Sequence, residues 1–264
     1  MIGRNTEDSP EFTTILTNRV FTVSERTLMH QNAVILFGRT LQFERSNPDE
    51  PYAALPWEDV DALSMAILGD VIEHSLQACN ADVLFYRNPA EYSDEFLRPF
   101  RNRLKCFDLK DGSITSQVQG AVEQAFALHY SRVVIVLENS PLISPTLLSG
   151  IFSQLGCEDD CIVVGPTLDA QVYLVGLKSR HDVLFEAGGP DLFSKPKRFL
   201  EGVCRESAVV VPAQTQYLLN SGSRLARLRC DVEAINESNS GFPRRTISVF
   251  KSFDKKYKQS KTSR

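Results

Sequence analysis

The chain has 264 residues, 42% of them hydrophobic and 23% charged, and its formal net charge at pH 7 is −4. Such a composition is typical of a globular protein with a buried core, and it excludes a mainly disordered, collagen-like or coiled-coil chain. No stretch contains the ~20 consecutive apolar residues of a membrane-spanning helix, and the first ten residues are polar and acidic, unlike a signal peptide. We therefore expect a cytoplasmic protein.

Charge is distributed unevenly along the chain. Residues 244–264 carry eight Lys and Arg side chains and one acid, Asp254, whereas the remainder is acidic. A short basic segment of this kind is usually solvated and mobile, so we treat residues 244–264 as a basic tail. The acidic remainder has no signature of nucleic-acid binding, and we predict no nucleic-acid partner.

Short apolar runs alternate with amphipathic segments through most of the chain. Residues 33–37 have the composition of a buried strand, and the polar, proline-interrupted segment 38–57 is typical of a loop. Further apolar runs predict strands at residues 81–86, 103–108, 132–137, 161–164, 172–177, 208–211 and 247–250. Helical spacing of apolar residues predicts helices at residues 60–78, 115–129, 145–155 and 197–204. The third of these helices begins at a Ser144-Pro145 cap.

This alternation of strands and helices predicts an α/β protein with a mainly parallel sheet. In such sheets ligands bind beyond the carboxyl ends of the strands, so the candidate site loops begin at Gly38, Glu138 and Gly165. The chain has no dinucleotide-binding G-x-G-x-x-G, no Walker A loop, no nucleophile elbow and no H-E-x-x-H. The residues alone therefore predict a fold class and candidate loops, but no reaction.

Two segments resemble a known family. RVVIVLENSPLISPTLL (132–148) and VVGPTLDAQVYLVGL (163–177) are similar to segments of bacterial GT-A-fold, nucleotide-diphospho-sugar-transferase-like proteins, some of which are glycosyltransferases of arsenosugar biosynthesis. The family patterns are a strand followed by G-S-D-C-P and a Thr-Pro-capped helix, and V-L-G-P-x-x-D-G-G-Y-Y-L-I-G-L. The resemblance implies a three-layer, Rossmann-like GT-A fold with a mixed, mainly parallel sheet. It implies one domain at 33–243, between an N-terminal extension (1–32) and the basic tail.

The resemblance also implies which side chains would form a site. In the family, the aspartate after the central strand coordinates a divalent cation that bridges the diphosphate of the sugar nucleotide. Mg²⁺ or Mn²⁺, if the protein is active, would then be held by Glu138, Asn139 and Asp231. Asp169 would be the catalytic carboxylate. Contacts with the nucleotide and its phosphates would come from Arg39, Arg45, Gly165 and Pro166.

The chain departs from the family pattern at ligand positions. Asn139 replaces the metal-binding aspartate, Glu44 and Asn47 replace a glycine and a lysine, and Ala170-Gln171 replaces Gly-Gly. Asparagine supplies no charge to a hard cation, and an acidic first loop repels phosphate. One hypothesis is a divergent, metal-assisted glycosyltransferase or nucleotidyltransferase with a rebuilt site. The alternative is a non-catalytic paralogue that keeps the fold and binds a nucleotide, a sugar phosphate or a protein partner.

Overall fold

The computed structural model describes residues 31–38, 52, 55–78, 80–137, 140–157, 159–188, 196–206 and 208–262. Within these ranges seven strands form one sheet: β1 (Asn32–Phe37), β2 (Ala81–Arg87), β3 (Leu104–Asp108), β4 (Arg132–Val136), β5 (Cys161–Pro166), β6 (Val172–Leu177) and β7 (Val209–Pro212). Their order is β3-β2-β1-β4-β6-β5-β7. Strand β6 pairs antiparallel with β4 and β5, and every other pairing in this sheet is parallel.

The strands arise where the sequence has β-branched and aromatic runs. Strands β1 and β6 are buried along their whole length, because helices cover both faces of the sheet. Each of the first six strands coincides, within a residue or two, with a predicted strand, and β7 coincides with the segment predicted at 208–211. The predicted α/β class with a mixed, mainly parallel sheet is confirmed.

Eight α-helices occur in the described ranges: α1 (Trp57–Gln77), α2 (Asp94–Leu97), α3 (Ile114–Ala127), α4 (Pro145–Gln154), α5 (Asp182–Gly188), α6 (Pro196–Arg205), α7 (Gly222–Ala234) and α8 (Arg244–Thr262). One apolar core joins α1, α4, α7 and α8 to one face of the sheet, and a second core joins α3, α5 and α6 to the other. The Ser144 hydroxyl accepts a hydrogen bond from the Leu147 amide at 3.1 Å, so the predicted Ser144-Pro145 cap is confirmed. None of the described helices is long and apolar enough to span a membrane.

Helix α8 corrects two expectations. The strand predicted at 247–250 is wrong, because these residues form the first turns of α8. The expectation of a solvated tail is also wrong for the described residues, since Phe250 and Phe253 are buried against the core. The apolar residues Ile247, Phe250 and Phe253 recur every three residues, a helical spacing that the β-branched run around Ile247 obscured.

An aspartate on another helix caps the start of α8. The two carboxylate oxygens of Asp70, on α1, accept hydrogen bonds from the backbone amides of Arg245 and Thr246 at 3.1 and 2.9 Å. These amides belong to the first turn of α8 and have no partner within their own helix, so Asp70 satisfies them.

The boundaries 1–32, 33–243 and 244–264 stay predictions, and most of the first segment lies outside the described residues.

The order of the strands defines one edge of the sheet as the place for a site. The carboxyl ends of β1, β2, β3, β4, β5 and β7 meet there, together with the beginning of β6, and we call it the carboxyl edge. From β1 the chain continues to β2 on one side, while β4 pairs with β1 on the other. The switch in strand order therefore lies between β1 and β4, where open α/β sheets bind their ligands.

Candidate functional site

Four of the eight predicted site residues lie in the described part of the chain. They are Gly165 and Pro166 at the end of β5, Asp169 in the turn that follows, and Asp231 on α7. The other four lie outside the described residues: Arg39, Arg45, Glu138 and Asn139. The geometry of the candidate site is therefore built from the turn after β5, from the segment 212–217 and from α7.

A tight turn between β5 and β6 presents Asp169 at the carboxyl edge. The backbone amide of Thr167 donates to the carbonyl oxygen of Gln171, and the hydroxyl of Thr167 accepts from the Gln171 amide, both at 2.9 Å. Ala170 adopts a φ of +58°, in the left-handed region that favours glycine. The left-handed backbone of this turn is by itself a reason for the glycine that the family has at this position, whether or not a ligand approaches it.

The carboxylate of Asp169 is engaged by an arginine from α7. The Arg224 Nη2 atom lies 2.6 Å from Asp169 Oδ1, and 21% of the Arg224 side chain is exposed. Arg224 lies in the first turn of α7, whose N-cap Ser221 accepts a hydrogen bond from the Arg224 amide. Asp169, the predicted catalytic carboxylate, therefore has a cationic partner and is not a free base or a free metal ligand.

The second described carboxylate, Asp231, belongs to the same cluster. The phenol of Tyr217 donates a hydrogen bond to Asp231 Oδ2 at 2.6 Å, and Arg227 Nε lies 3.7 Å from the same oxygen. The guanidinium carbons of Arg224 and Arg227 lie 5.8 and 4.9 Å from the centroid of the Tyr217 ring. We call Asp169, Tyr217, Arg224, Arg227 and Asp231 the Asp–Arg cluster.

Tyr217 is the buried centre of the Asp–Arg cluster. Burial, followed by the hydrogen bond to the carboxylate of Asp231, raises the pKa of the Tyr217 phenol far above its ordinary value. The phenol consequently stays protonated and acts as a fixed hydrogen-bond donor to Asp231 at any physiological pH. It cannot serve as a base in this arrangement.

Asp231 is the one described member of the predicted metal set, and it lies in the Asp–Arg cluster. The Asp–Arg cluster contains two carboxylates and two guanidiniums, so its formal charge is zero. At Asp169 a hard cation would have to displace the guanidinium of Arg224 before it could bind there. No group of three or more His, Cys, Asp or Glu side chains in the described ranges has an arrangement that could hold a metal ion.

Gly165 and Pro166 are the last two residues of β5, at the carboxyl edge. A Cβ atom on Gly165 would lie 2.6 Å from the Tyr173 ring and 2.9 Å from the Leu174 Cβ. Tyr173 in turn donates a hydrogen bond from its phenol to the carbonyl oxygen of Gln214 at 2.7 Å. Glycine at position 165 is therefore required by the packing of a buried tyrosine. Contact of Gly165 and Pro166 with a nucleotide stays a prediction.

Sequence reasoning missed several polar groups at the carboxyl edge. Arg224 and Arg227 lie outside the two segments that carry the resemblance, on a helix that the sequence analysis did not predict. The available signal was the spacing of Arg227 and Asp231, four residues apart on one helix. Arg87 at the end of β2 was also missed: its Nη1 donates to the carbonyl oxygen of Tyr92, and its buried Nε has no hydrogen-bond partner in the described structure.

Comparison with known proteins finds a family match over part of the chain and solved structures with the same fold. Residues 71–188 match a family described as "Uncharacterized protein conserved in bacteria (DUF2064)". No curated protein matches the chain in sequence. The chain is similar to a candidate nucleotide-diphospho-sugar transferase from Desulfovibrio desulfuricans G20, with 15% identity and a TM-score of 0.64 over 85% of this chain and 99% of that one.

Two further solved structures share the fold at lower similarity. A 4-diphosphocytidyl-2C-methyl-D-erythritol synthase from Anaerococcus prevotii has 8% identity and a TM-score of 0.51, over 78% of this chain and 99% of that one. A nucleotidyl transferase from Methanothermobacter has 10% identity and a TM-score of 0.50, over 76% and 96%. These comparisons confirm the resemblance at the level of the fold, which the chain shares with nucleotide-diphospho-sugar-transferase-like and nucleotidyltransferase structures.

Proposed function

We propose that this protein binds a nucleotide-diphospho-sugar, or a related sugar phosphate, at the carboxyl edge and does not catalyse metal-assisted transfer. The observation that carries the proposal is the 2.6 Å ion pair between Arg224 and Asp169. It neutralises the carboxylate that a transferase of this type would need, and it adds a cation at the place where the resemblance implies a diphosphate. The shared fold supports a function related to nucleotides and sugars.

The two arginines of the Asp–Arg cluster would take the place of the divalent cation in holding phosphate. A guanidinium presents a planar fork of N–H donors that matches two phosphate oxygens. The Arg227 side chain is 52% exposed, and its 3.7 Å contact with Asp231 is too long for a hydrogen bond, so it can turn toward an anion. The first turn of α7 adds the positive end of a helix dipole beside Arg224. Arg39 and Arg45 stay proposed as further phosphate contacts.

A thermal-shift panel with UDP-, GDP-, CDP- and dTDP-sugars tests the proposal. We expect one nucleotide class to raise the melting temperature in the presence of EDTA, with no further increase on adding Mg²⁺ or Mn²⁺. A ligand at 100 times its Kd stabilises the folded state by about 2.7 kcal/mol, which such a scan detects readily. Arg227→Gln should remove the shift, whereas the matched change Arg101→Gln, at an exposed arginine outside the site, should leave it intact.

The opposite results would favour either the active transferase or a paralogue that binds a protein partner. A shift that requires Mg²⁺ or Mn²⁺, together with hydrolysis of the nucleotide sugar by the wild type and not by Asp169→Ala, would overturn the proposal in favour of an active transferase. No shift with any nucleotide sugar, with or without metal, would also overturn it and would direct the search to a protein partner. Localisation in the cytoplasm stays a prediction.

A further inference from the structure

A cavity apart from the candidate site lies on the face of the sheet that α1 and α8 cover. It has a volume of about 230 Å³ and is enclosed by the second half of α1, the connection between α7 and α8, and the beginning of α8. Its polar lining includes Asp70, Glu73, His74, Glu237 and Arg244, and Phe242 contributes an aromatic ring. None of the residues of the Asp–Arg cluster lines it, so it is a separate site.

His74 is a buried residue whose imidazole lines this cavity. Only 4% of the residue is exposed, and its Nδ1 lies 2.8 Å from the carbonyl oxygen of Ile143. A carbonyl oxygen can only accept, so Nδ1 carries a hydrogen, and in the ring form with this single hydrogen Nε2 is an acceptor. No residue of the described chain donates to Nε2. A ligand in the cavity that carries an N–H or O–H group would satisfy it.

The charges around the cavity favour a cation. Asp70, Glu73 and Glu237 supply three carboxylates, against the guanidiniums of Arg244 in the lining and of Arg245, which pairs with Glu73 and Asp70. With the imidazole of His74 counted as uncharged, three carboxylates against two guanidiniums leave one negative charge in excess. Among the described residues Glu237 is exposed and forms no ion pair, so its carboxylate is available to a ligand.

The remaining acidic groups are held in place from outside the cavity. Asp70 is fixed by the two backbone amides at the start of α8, and Glu73 is fixed by Arg245. The guanidinium carbon of Arg245 also lies 5.1 Å from the centroid of the Phe100 ring, which restricts its movement. The lining is consequently preorganised, and binding of a small molecule requires little rearrangement.

From these contacts we propose that the cavity binds a small hydroxylated amine. The ammonium group pairs with the carboxylate of Glu237, and a hydroxyl or ammonium hydrogen is donated to Nε2 of His74. The volume of about 230 Å³ is below the range of ordinary drug-sized pockets, so the ligand is no larger than a monosaccharide.

Matched pairs of amines and polyols test this proposal directly. We would titrate the full-length protein by calorimetry, in phosphate buffer free of amines, with 2-aminoethanol and ethylene glycol, serinol and glycerol, and glucosamine and glucose. The members of each pair differ only in an ammonium in place of a hydroxyl. We expect at least one amine to bind saturably, about fivefold or more tightly than its polyol. Equal affinity within every pair, or no binding by any amine, would overturn the proposal and leave the cavity to water.

Two variants locate the binding. Asn at position 74 can keep the donor that bonds to Ile143 but has no acceptor in place of Nε2, so His74→Asn should weaken amine binding about fivefold. Glu237→Gln should weaken amine binding two- to fivefold. Because Glu237 is exposed, this substitution should leave the folded structure unchanged. The control Glu58→Gln, at an exposed site in the first turn of α1, should have no effect. Unchanged affinity in both variants of the cavity would contradict the assignment.

Discussion

Gly165 lies in a strand that supports the candidate site, and its space is occupied by the ring of Tyr173. Because a Cβ atom there would approach the ring to 2.6 Å, Gly165→Ala forces Tyr173 or the strand to move. We expect a loss of about 1–3 kcal/mol in the free energy of unfolding, the usual cost of overpacking a core. Chemical denaturation followed by circular dichroism measures it.

Gly120 supplies the matched control for that measurement. It lies within α3, and a Cβ atom at this position would meet nothing within 4 Å. Gly120→Ala should therefore stabilise the protein by up to about 1 kcal/mol, because alanine has the higher helix propensity. A Gly165→Ala variant as stable as the wild type would show that Gly165 is not needed for packing and would strengthen its predicted role beside a ligand.

Asp169 illustrates how far the sequence defines a single residue. Its place in a turn at the carboxyl edge was predicted from the resemblance of the segment around it, and the structure places it there. Its partner Arg224 follows 55 residues later in the chain, outside both resembling segments. No local pattern relates the two residues, because their contact depends on where α7 packs relative to the turn after β5.

At the scale of elements, α8 is held to α1 by a polar contact as well as by its buried phenylalanines. Lys256 Nζ lies 2.8 Å from a carboxylate oxygen of Asp59, and the phenol of Tyr257 donates a hydrogen bond to the same carboxylate. Burial alone would raise the pKa of Asp59, but the hydrogen bonds from Lys256 and Tyr257 outweigh it and lower the pKa below its ordinary value.

This lowered pKa predicts a pH dependence of stability. Since the folded-state pKa of Asp59 is below the unfolded value of about 4, its contribution is fully present above that pH and is lost as the pH falls through the folded-state pKa. Asp59→Asn should therefore be less stable than the wild type at pH 7, and the difference should shrink below about pH 4. Urea denaturation from pH 7 to pH 2.5 measures both effects.

Asp61 provides the comparison for the pH series. It is an exposed residue two positions further along the same helix, so Asp61→Asn should change the stability little at either end of the range. If Asp59→Asn lost the same stability at pH 3 as at pH 7, the ionised carboxylate of Asp59 would not be what connects α8 to α1.

For the whole molecule, the strand order predicts a gradient of local stability. Strands β1 and β4 lie in the middle of the sheet with buried side chains, whereas β7 is an edge strand in which Val209 and Val210 are 54% and 44% exposed. Amides of β1 and β4 should exchange with solvent only through large openings, at least about 2 kcal/mol above the openings that expose β7. Hydrogen exchange followed by mass spectrometry measures this difference. Protection of β7 equal to that of β4 would contradict it and would indicate that another segment or chain covers the edge.

The sequence by itself determined the α/β class, the positions of the seven strands and four of the eight described α-helices, and the family resemblance. Burial of strands and helix faces produces a local, periodic pattern of apolar residues, which the sequence shows directly. The sequence also predicted Asp169 in the segment that follows β5, at the carboxyl edge. Only the tertiary structure decided that Arg224 neutralises this carboxylate. It also decided that the basic segment from residue 244 onward is a helix packed on α1, and that His74 lines a separate cavity. These features join residues that are 55 to 197 positions apart, as the pairs Arg224–Asp169 and Lys256–Asp59 show. Such contacts depend on the order of strands in the sheet and on which face each helix covers. Neither property can be deduced from the periodicity of apolar residues along the chain.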